Sequence, residues 1–185
     1  MTKFEKETII EIVLYILKKT EGTDIYHLLK IIYFANQKHL LNWGTNMIDD
    51  NFHAYEYGPV PDQLYKACHE NDKYGKELPI MFGKAVKFAG EDAPNSLLAL
   101  REPNMDYLSQ ATKESLDESI RENAHLTFGQ LLKKSHDKAW EKAWASAQQG
   151  KSDMMDTLSI AEAAAVSNEM REYIREQLEL DEIFA

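Results

Sequence analysis

Histidine, cysteine and carboxylate side chains are the groups in this sequence that could bind a metal ion or transfer protons. No two histidines lie at ligand spacing on one predicted helical face. His69-Glu70 and His136-Asp137 place a carboxylate next to an imidazole, but adjacent residues on a helix point in different directions. We therefore expect no metal site and no catalytic residue among them. The six histidines are His27, His39, His53, His69, His125 and His136.

The single cysteine, Cys68, excludes an intramolecular disulfide and any multi-cysteine zinc site. The sequence supplies no neighbouring base or basic setting that would activate its thiol, so we expect a small packing residue. The motifs of dinucleotide sites, phosphate-binding loops, zinc proteases and serine hydrolases are all absent. We expect a protein that is not an enzyme and binds no cofactor. An enzyme would instead require a cleft where histidine and carboxylate side chains with perturbed pKa values converge.

Composition limits the partners. The 185 residues carry a formal charge of −10, which repels phosphate backbones and makes direct nucleic-acid binding unfavourable. A DNA-reading helix would be rich in basic residues, whereas the second predicted helix offers only Lys30 and Lys38. No apolar run approaches the roughly 18 residues that span a bilayer. Glu5 and Glu7 lie where a signal peptide would be basic or apolar. We expect a cytoplasmic protein.

Two predicted helices begin the chain. Apolar residues at helical spacing between Ile9 and Leu17 predict the first helix, which ends before Gly22. Thr23 or Asp24 can cap the second, over about residues 25–41, and Gly44 can stop it. Lys30 is the one charge between residues 28 and 35, so we expect this to be the buried central helix. Its expected core residues are Leu29, Tyr33, Phe34 and Leu41.

The remainder predicts a small sheet and further helices. A strand over residues 51–57 enters a turn at Gly58-Pro59, and Pro61 suits the first turn of a helix over 61–71. Weaker strand patterns cover 80–89 and 96–102. Capping residues predict helices over 110–122 (Ser109), 128–135 (Thr127) and 138–147 (Asp137), and Ser159-Ile160-Ala161-Glu162 matches the capping box of a last helix. We expect an α+β fold, predominantly α-helical: a compact helical domain with a small antiparallel sheet and a C-terminal helix.

The acidity is concentrated at the C-terminus, since residues 152–185 carry nine acidic and two basic side chains. This helical extension, 151–185, is expected to follow a domain over 1–150. It is either a solvated helix face or an arm that contacts a basic partner.

Three segments together resemble a known family. They are His27-Leu28-Leu29-Lys30-Ile31-Ile32-Tyr33-Phe34-Ala35, then Ala54-Tyr55-Glu56-Tyr57-Gly58-Pro59-Val60, and then Ser135-His136 with Trp140. Their order and spacing are similar to the Panacea domain of SocA-like antitoxins over roughly residues 8–145. Ile31-Ile32 replaces the usual leucine pair. Gly44-Thr45-Asn46 replaces the Gly-Arg-Pro of many members, so a role of that arginine is not carried over.

The resemblance implies an antitoxin of a toxin–antitoxin system that neutralises a cognate toxin by direct protein–protein binding. The alternative is a proteolytic adaptor or a phage-associated interaction module without catalytic activity, for which the apolar tail residues would suit handover to a protease. A toxin is the implied partner, a protease and a second copy of the chain remain open as further partners, and the fold does not name the toxin. The tail residues are Leu178, Leu180, Ile183, Phe184 and Ala185.

Six residues are candidates for the partner-binding surface. Tyr57-Gly58-Pro59 forms either a purely structural turn or a turn that supports an exposed aromatic surface. His136 and Trp140 lie four residues apart on one helical face, as a buried tryptophan with a hydrogen-bonded histidine or as a contact patch. Trp144 extends the same face. The candidates are Tyr55, Tyr57, Pro59, His136, Trp140 and Trp144.

Overall fold

The computed structural model describes residues 1–69, 76–91, 93 and 95–184. Within these ranges it confirms a predominantly helical α+β fold. The helices are α1 (Lys3–Lys19), α2 (Ile25–Trp43), α3 (Asp62–His69), α4 (Glu77–Ala85), α5 (Gln110–Asn123), α6 (Phe128–Ser135), α7 (Lys138–Gln148), α8 (Thr157–Ala163) and α9 (Asn168–Phe184). The strands are β1 (Thr23–Asp24), β2 (Phe52–Tyr55), β3 (Gly58–Pro61), β4 (Val86–Phe88) and β5 (Ser96–Ala99), and a single 3₁₀ turn covers Met105–Tyr107.

The core is built around α1 and α2. Every residue from Ile9 to Leu17 is buried in α1, and α2 is buried without interruption from Leu28 to Asn36. A helix that is apolar on nearly all faces must be covered by other elements, so α2 occupies the centre of the fold. Asp24 caps α2, and Gly44 ends it in the left-handed conformation at φ 69°. Both ends agree with the sequence prediction, but Leu41 was wrongly predicted as core because it is 37% exposed.

Two small antiparallel sheets flank the helices. One has the strand order β1-β5-β4, and the other is the β2–β3 hairpin, in which Tyr55 pairs with Gly58. The segment that follows α7 extends the hairpin: Ala54 N donates to Asp153 O and Met155 N donates to Phe52 O, both at 2.8 Å. The hairpin is therefore held on one side by the chain's own C-terminal third.

The C-terminal helix packs against the body. Ile174 of α9 is 1% exposed and belongs to the core cluster, with Met170 packed against the same cluster. A Cβ on Gly44 would lie 2.7 Å from Met170 Sδ and 2.7 Å from the Tyr173 ring, so α9 closes over the end of α2. The division at residue 150 stays a prediction.

Helices α5, α6 and α7 begin at the predicted capping residues, Ser109, Thr127 and Asp137. The predicted strand over 80–89 is wrong in its first part, because residues up to Ala85 form helix α4. Leu78, Phe82 and Ala85 are buried at the i, i+4, i+7 spacing of a helix face, and this periodicity outweighs the local β-type residues.

Two other predicted helix starts differ from the structure. Pro61 ends strand β3, and α3 begins one residue later with its Gln63 and Leu64 amides bonded to Asp50. The predicted residues 70 and 71 of that helix lie outside the described residues. The proposed capping box at Ser159 is wrong: Asp156 caps α8, and Ser159 N donates to its Oδ1 at 2.8 Å. The chain turns at Ala165, whose φ is 60°, before α9 begins separately.

Candidate functional site

The turn between β2 and β3 brings an exposed tyrosine to the surface. Tyr57 lies at the tip of the hairpin and is 56% exposed. Gly58 follows with φ +96°, and a Cβ there would lie 2.5 Å from Ser135 Oγ and 3.1 Å from Lys30 Nζ. Both the conformation and the space require glycine at this position. The hairpin is thus pressed tightly against α2 and the end of α6, and its tip has a fixed position.

A buried lysine supports the hairpin from behind. Lys30 is 1% exposed, and its Nζ donates to Pro59 O at 2.8 Å and lies 4.9 Å from the centroid of the Tyr26 ring. Among the residues that the structure describes, no carboxylate forms an ion pair with it. Desolvation lowers the pKa of Lys30 to about 7 because the charged form loses its water without gaining a counter-charge.

The junction of α6 and α7 is fixed by Asp137. Its Oδ1 accepts from the amides of Ala139 and Trp140 at 3.0 Å, which caps α7. Its Oδ2 accepts from Tyr33 Oη at 2.7 Å and Gln37 Nε2 at 2.8 Å, both on α2. Burial and the Asp137 charge raise the pKa of Tyr33 well above its ordinary value, so this hydroxyl stays protonated. One carboxylate therefore aligns the start of α7 with the central helix.

Three rings form a stack behind the hairpin. His136 and Trp140 are parallel with centroids 3.6 Å apart, and Trp140 and Trp144 follow at 5.4 Å. Trp140 Nε1 donates to Tyr55 O at 2.9 Å, which ties α7 to strand β2. Desolvation and the nearby Lys30 charge lower the pKa of His136, so the ring is neutral at physiological pH. Its Nε2 is buried without a hydrogen-bond partner within the described chain.

The outer side of this region is an aromatic surface, which we call the hairpin surface. The rings of Tyr57 and Phe128 lie 6.0 Å apart, those of Tyr26 and Phe128 lie 4.5 Å apart, and Phe128 is 48% exposed. A cavity of about 330 Å³ separates Tyr57 from Trp144. The residues of the hairpin surface are Tyr26, Tyr55, Tyr57, Phe128 and Trp144.

A second cavity of about 320 Å³ also has Tyr57 in its wall, and we call it the Lys30 cavity. Its walls include Tyr26, Tyr55, Tyr57 and Tyr65, and Lys30 is the lysine that reaches it. The rings of Tyr55 and Tyr65 meet edge to face at 5.0 Å. Burial raises the pKa of Tyr26 and of Tyr55 to about 12, so both hydroxyls keep their protons.

The structure brings the six predicted surface residues together around one hairpin. Tyr57 is exposed and Tyr55 and Trp144 are half-buried, so these side chains are accessible to a partner. Pro59 is buried and Trp140 is 9% exposed, so in this conformation they hold the hairpin in place. Of the two interpretations, the burial of Trp140 favours a buried tryptophan with a hydrogen-bonded histidine over a contact patch. His136 stacks on Trp140 and bonds to the Glu56 backbone, and its Nε2 has no partner within the described chain.

Sequence reasoning did not assign roles to Lys30, Tyr26, Phe128 or Asp137 at this site. The signal for Lys30 was present, since a single charge in an otherwise apolar helix must be buried with some partner. Tyr26 and Phe128 carried no such signal, because their proximity arises only when the start of α6 packs beside the start of α2.

Neither a metal centre nor a reactive thiol is found in the described part of the chain. The described residues hold no group of three or more histidine, cysteine, aspartate or glutamate side chains that could bind a metal ion. Burial raises the pKa of Cys68 to about 12, which keeps it as a thiol packed in the core. Among the described helices, none is both long and apolar enough to cross a bilayer.

Comparison with known proteins identifies a family that the chain matches. The family model described as antitoxin SocA-like, Panacea domain, matches residues 28–141, well over half of the chain. The matched range includes most of α2, the whole hairpin and the start of α7. Of the hairpin surface it includes Tyr55, Tyr57 and Phe128, whereas Tyr26 and Trp144 lie just outside it. No curated protein and no solved structure was found to match the chain.

Proposed function

The chain belongs to the SocA-like antitoxin family, Panacea domain, and on this premise we propose that it neutralises a cognate toxin by direct protein–protein contact. The toxin is bound at the hairpin surface, and binding covers the toxin's working site or holds it in an inactive state. The observation that carries this proposal is the family match together with a fixed, exposed aromatic surface whose hairpin residues, Tyr55 and Tyr57, lie inside the matched range.

The physical character of the hairpin surface supports the location. Tyrosine and tryptophan are enriched among residues that dominate binding energy, because they bury a large area with few rotatable bonds. Tyr57 lines two cavities, so a partner that enters either of them can pack against its ring. The supports behind it are already in place: Lys30 on Pro59, Trp140 on Tyr55 and the close contact at Gly58. Such preorganisation lowers the entropy that binding costs.

Charge supports the class of partner. The net charge of −10 attracts a toxin with a basic surface, such as one that acts on RNA, and accelerates their encounter. We further propose that the protein acts in the cytoplasm and that neutralisation needs no bond-making by this chain.

A second candidate is the proteolytic adaptor, in which the bound toxin is delivered to a protease. The observation that favours it is the end of α9, where Leu180 is 46% and Ile183 is 72% exposed. Leu178 packs against the core and is a less suitable handle. The side chain of Phe184 and the whole of Ala185 lie outside the described residues.

Co-expression tests the proposal. The adjacent reading frame is expressed alone and together with this chain, and growth is scored. We expect arrest with the neighbour alone and rescue by this chain. A neighbour that is harmless alone, or that stays lethal during co-expression, contradicts the proposal for that pair. Replacing Leu180 and Ile183 with serine separates the two mechanisms: rescue persists with occlusion, whereas with delivery the toxin accumulates and rescue fails although binding is retained.

A further inference from the structure

We propose that the Lys30 cavity is a binding site for a carboxylate carried on an apolar, preferably aromatic, body. This inference goes beyond the proposed antitoxin role and does not depend on it, because it rests on the cavity alone.

Lys30 is a buried cation without a counter-charge in the described part of the chain. An ammonium group has three donors and a full charge, and burying it is costly without a counter-charge. Within the described residues, Lys30 Nζ has one acceptor, the neutral Pro59 O at 2.8 Å, and it faces the Tyr26 ring. Glu11, another buried charge in the described part of the chain, does have a counter-charge, because it accepts two bonds from Arg101, at 2.6 and 2.8 Å. Lys30 therefore lacks the negatively charged acceptor that such a pair would supply.

The buried lysine borders the Lys30 cavity. Lys30 lines a space of about 320 Å³ although its own exposure is only 1%. A ligand in this space can therefore reach the buried cation. Tyr26 Oη is buried beside the Ser135 side chain, and Tyr26 lines the same cavity. A carboxylate has two oxygens, so it can accept from Lys30 Nζ and from a second donor such as this hydroxyl.

The rest of the cavity wall is suited to the apolar part of such a ligand. Tyrosine rings and the side chains of Leu29 and Val60 form most of the remaining wall, which suits a ring or a branched chain. Asp24 is the carboxylate on the described cavity wall, and its Oδ2 lies 2.6 Å from His27 Nδ1. The titratable groups that face Lys30 or its cavity are Asp24, Tyr26, Tyr55, Tyr57, Tyr65, His69 and, from the α6–α7 junction, His136.

The same chemistry has two sources, a free small acid and the C-terminal carboxylate of a polypeptide. The purified full-length protein, with ¹³C-labelled lysine, is titrated with 3-phenylpropionate and with 3-phenylpropionamide while the lysine ε signals are followed by NMR. We expect saturable shifts with the acid and at least tenfold weaker binding of the amide. The peptide Gly-Gly-Phe, with a free or an amidated C-terminus, forms the second arm. Tighter binding of the free-ended peptide than of 3-phenylpropionate assigns a chain terminus, and weaker binding assigns a small acid.

Lys30→Met is the matched variant, and circular dichroism checks its fold. We expect it to lose at least tenfold in affinity for 3-phenylpropionate and to lose less for the amide, because a neutral carbonyl makes a weaker bond to the ammonium than a carboxylate does. If this variant does not fold, the comparison of the acid with the amide on the unsubstituted protein still decides the question. Carboxylate binding favours the charged lysine, so binding takes up a proton and the affinity for the acid falls with rising pH, approaching about tenfold per unit above pH 7. Equal affinity for acid and amide, no saturation at millimolar acid, or affinity for the acid that is independent of pH would overturn the proposal. These results test ligand binding in the Lys30 cavity, whereas the co-expression experiment tests toxin neutralisation, so the two proposals can fail separately.

Discussion

Removing the buried charge at Lys30 changes how stability depends on pH. The pKa of Lys30 is about 7 in the folded protein, whereas its ordinary value is 10.5. A group whose pKa is lowered by folding contributes its full stability above the unfolded pKa and loses it as the pH falls through the folded pKa. The folded protein therefore becomes less stable, through this one group, as the pH falls from 10.5 towards 7.

The magnitude follows from the size of the shift. One pKa unit corresponds to about 1.4 kcal/mol, so desolvation of Lys30 costs about 4 kcal/mol at pH 7 and about 2 kcal/mol at pH 9. Lys30→Met removes this dependence. The free energy of unfolding of the unsubstituted protein, taken relative to the variant, should be about 2 kcal/mol lower at pH 7 than at pH 9.

Urea unfolding at both pH values measures the difference. The comparison cancels every group that titrates equally in the two proteins, and the lost hydrogen bond to Pro59 O adds the same offset at both pH values. Lys38→Met is the matched control on the same helix, because the pKa of Lys38 is raised by its bonds to Glu118 and Glu122 and the lysine stays charged. The control should show no change between pH 7 and pH 9. If the free energy of unfolding of the unsubstituted protein, taken relative to Lys30→Met, is the same at pH 7 and pH 9, or is higher at pH 7, Lys30 is not a buried lysine without a counter-charge.

Three further predictions concern the hairpin, its support and the encounter with a partner. Gly58→Ala should lower the free energy of unfolding by roughly 1–3 kcal/mol, because φ is +96° and the new Cβ would lie 2.5 Å from Ser135 Oγ. Gly129→Ala is the control: open space surrounds this position, so the substitution should stabilise α6 by up to about 1 kcal/mol. Equal urea midpoints for the two variants would contradict the close contact at Gly58. Asp137→Ala should cost roughly 2 kcal/mol or more in the same assay, because it removes the α7 cap and the acceptor of Tyr33, and a loss under about 0.5 kcal/mol would count against this role. Stopped-flow association with the toxin should slow as salt is raised, and rates that do not change with salt would rule out steering by the net charge.

The sequence was informative where a local pattern specifies a local structure. The caps at Asp24, Ser109 and Thr127 were predictable because each side chain bonds an amide only three residues away. The burial of α2 was predictable because a helix without a polar face has to be covered. The grouping of Tyr55, Tyr57 and the α7 aromatics followed from the resemblance.

The features that the sequence did not predict depend on competing caps and on contacts between distant parts of the chain. Ser159-x-x-Glu162 has the spacing of a capping box, but Asp156 lies three residues earlier and caps α8 first. Asp50 caps α3 from a loop that precedes the hairpin, a contact that no local motif specifies. The Lys30 cavity could not be foreseen, because its walls come from α2, α3 and the hairpin.

The central claim, that the hairpin surface binds the toxin, is tested most directly by calorimetric titration of the adjacent frame's product into matched surface variants. Trp43 is the control: it is 47% exposed but lies at the other end of α2, about 25 Å from Tyr26 along the helix axis. We expect Tyr57→Ala to weaken binding at least tenfold and Trp43→Ala to change it less than twofold. Full-strength binding by Tyr57→Ala together with a large loss in Trp43→Ala would place the partner on a different face and contradict the account.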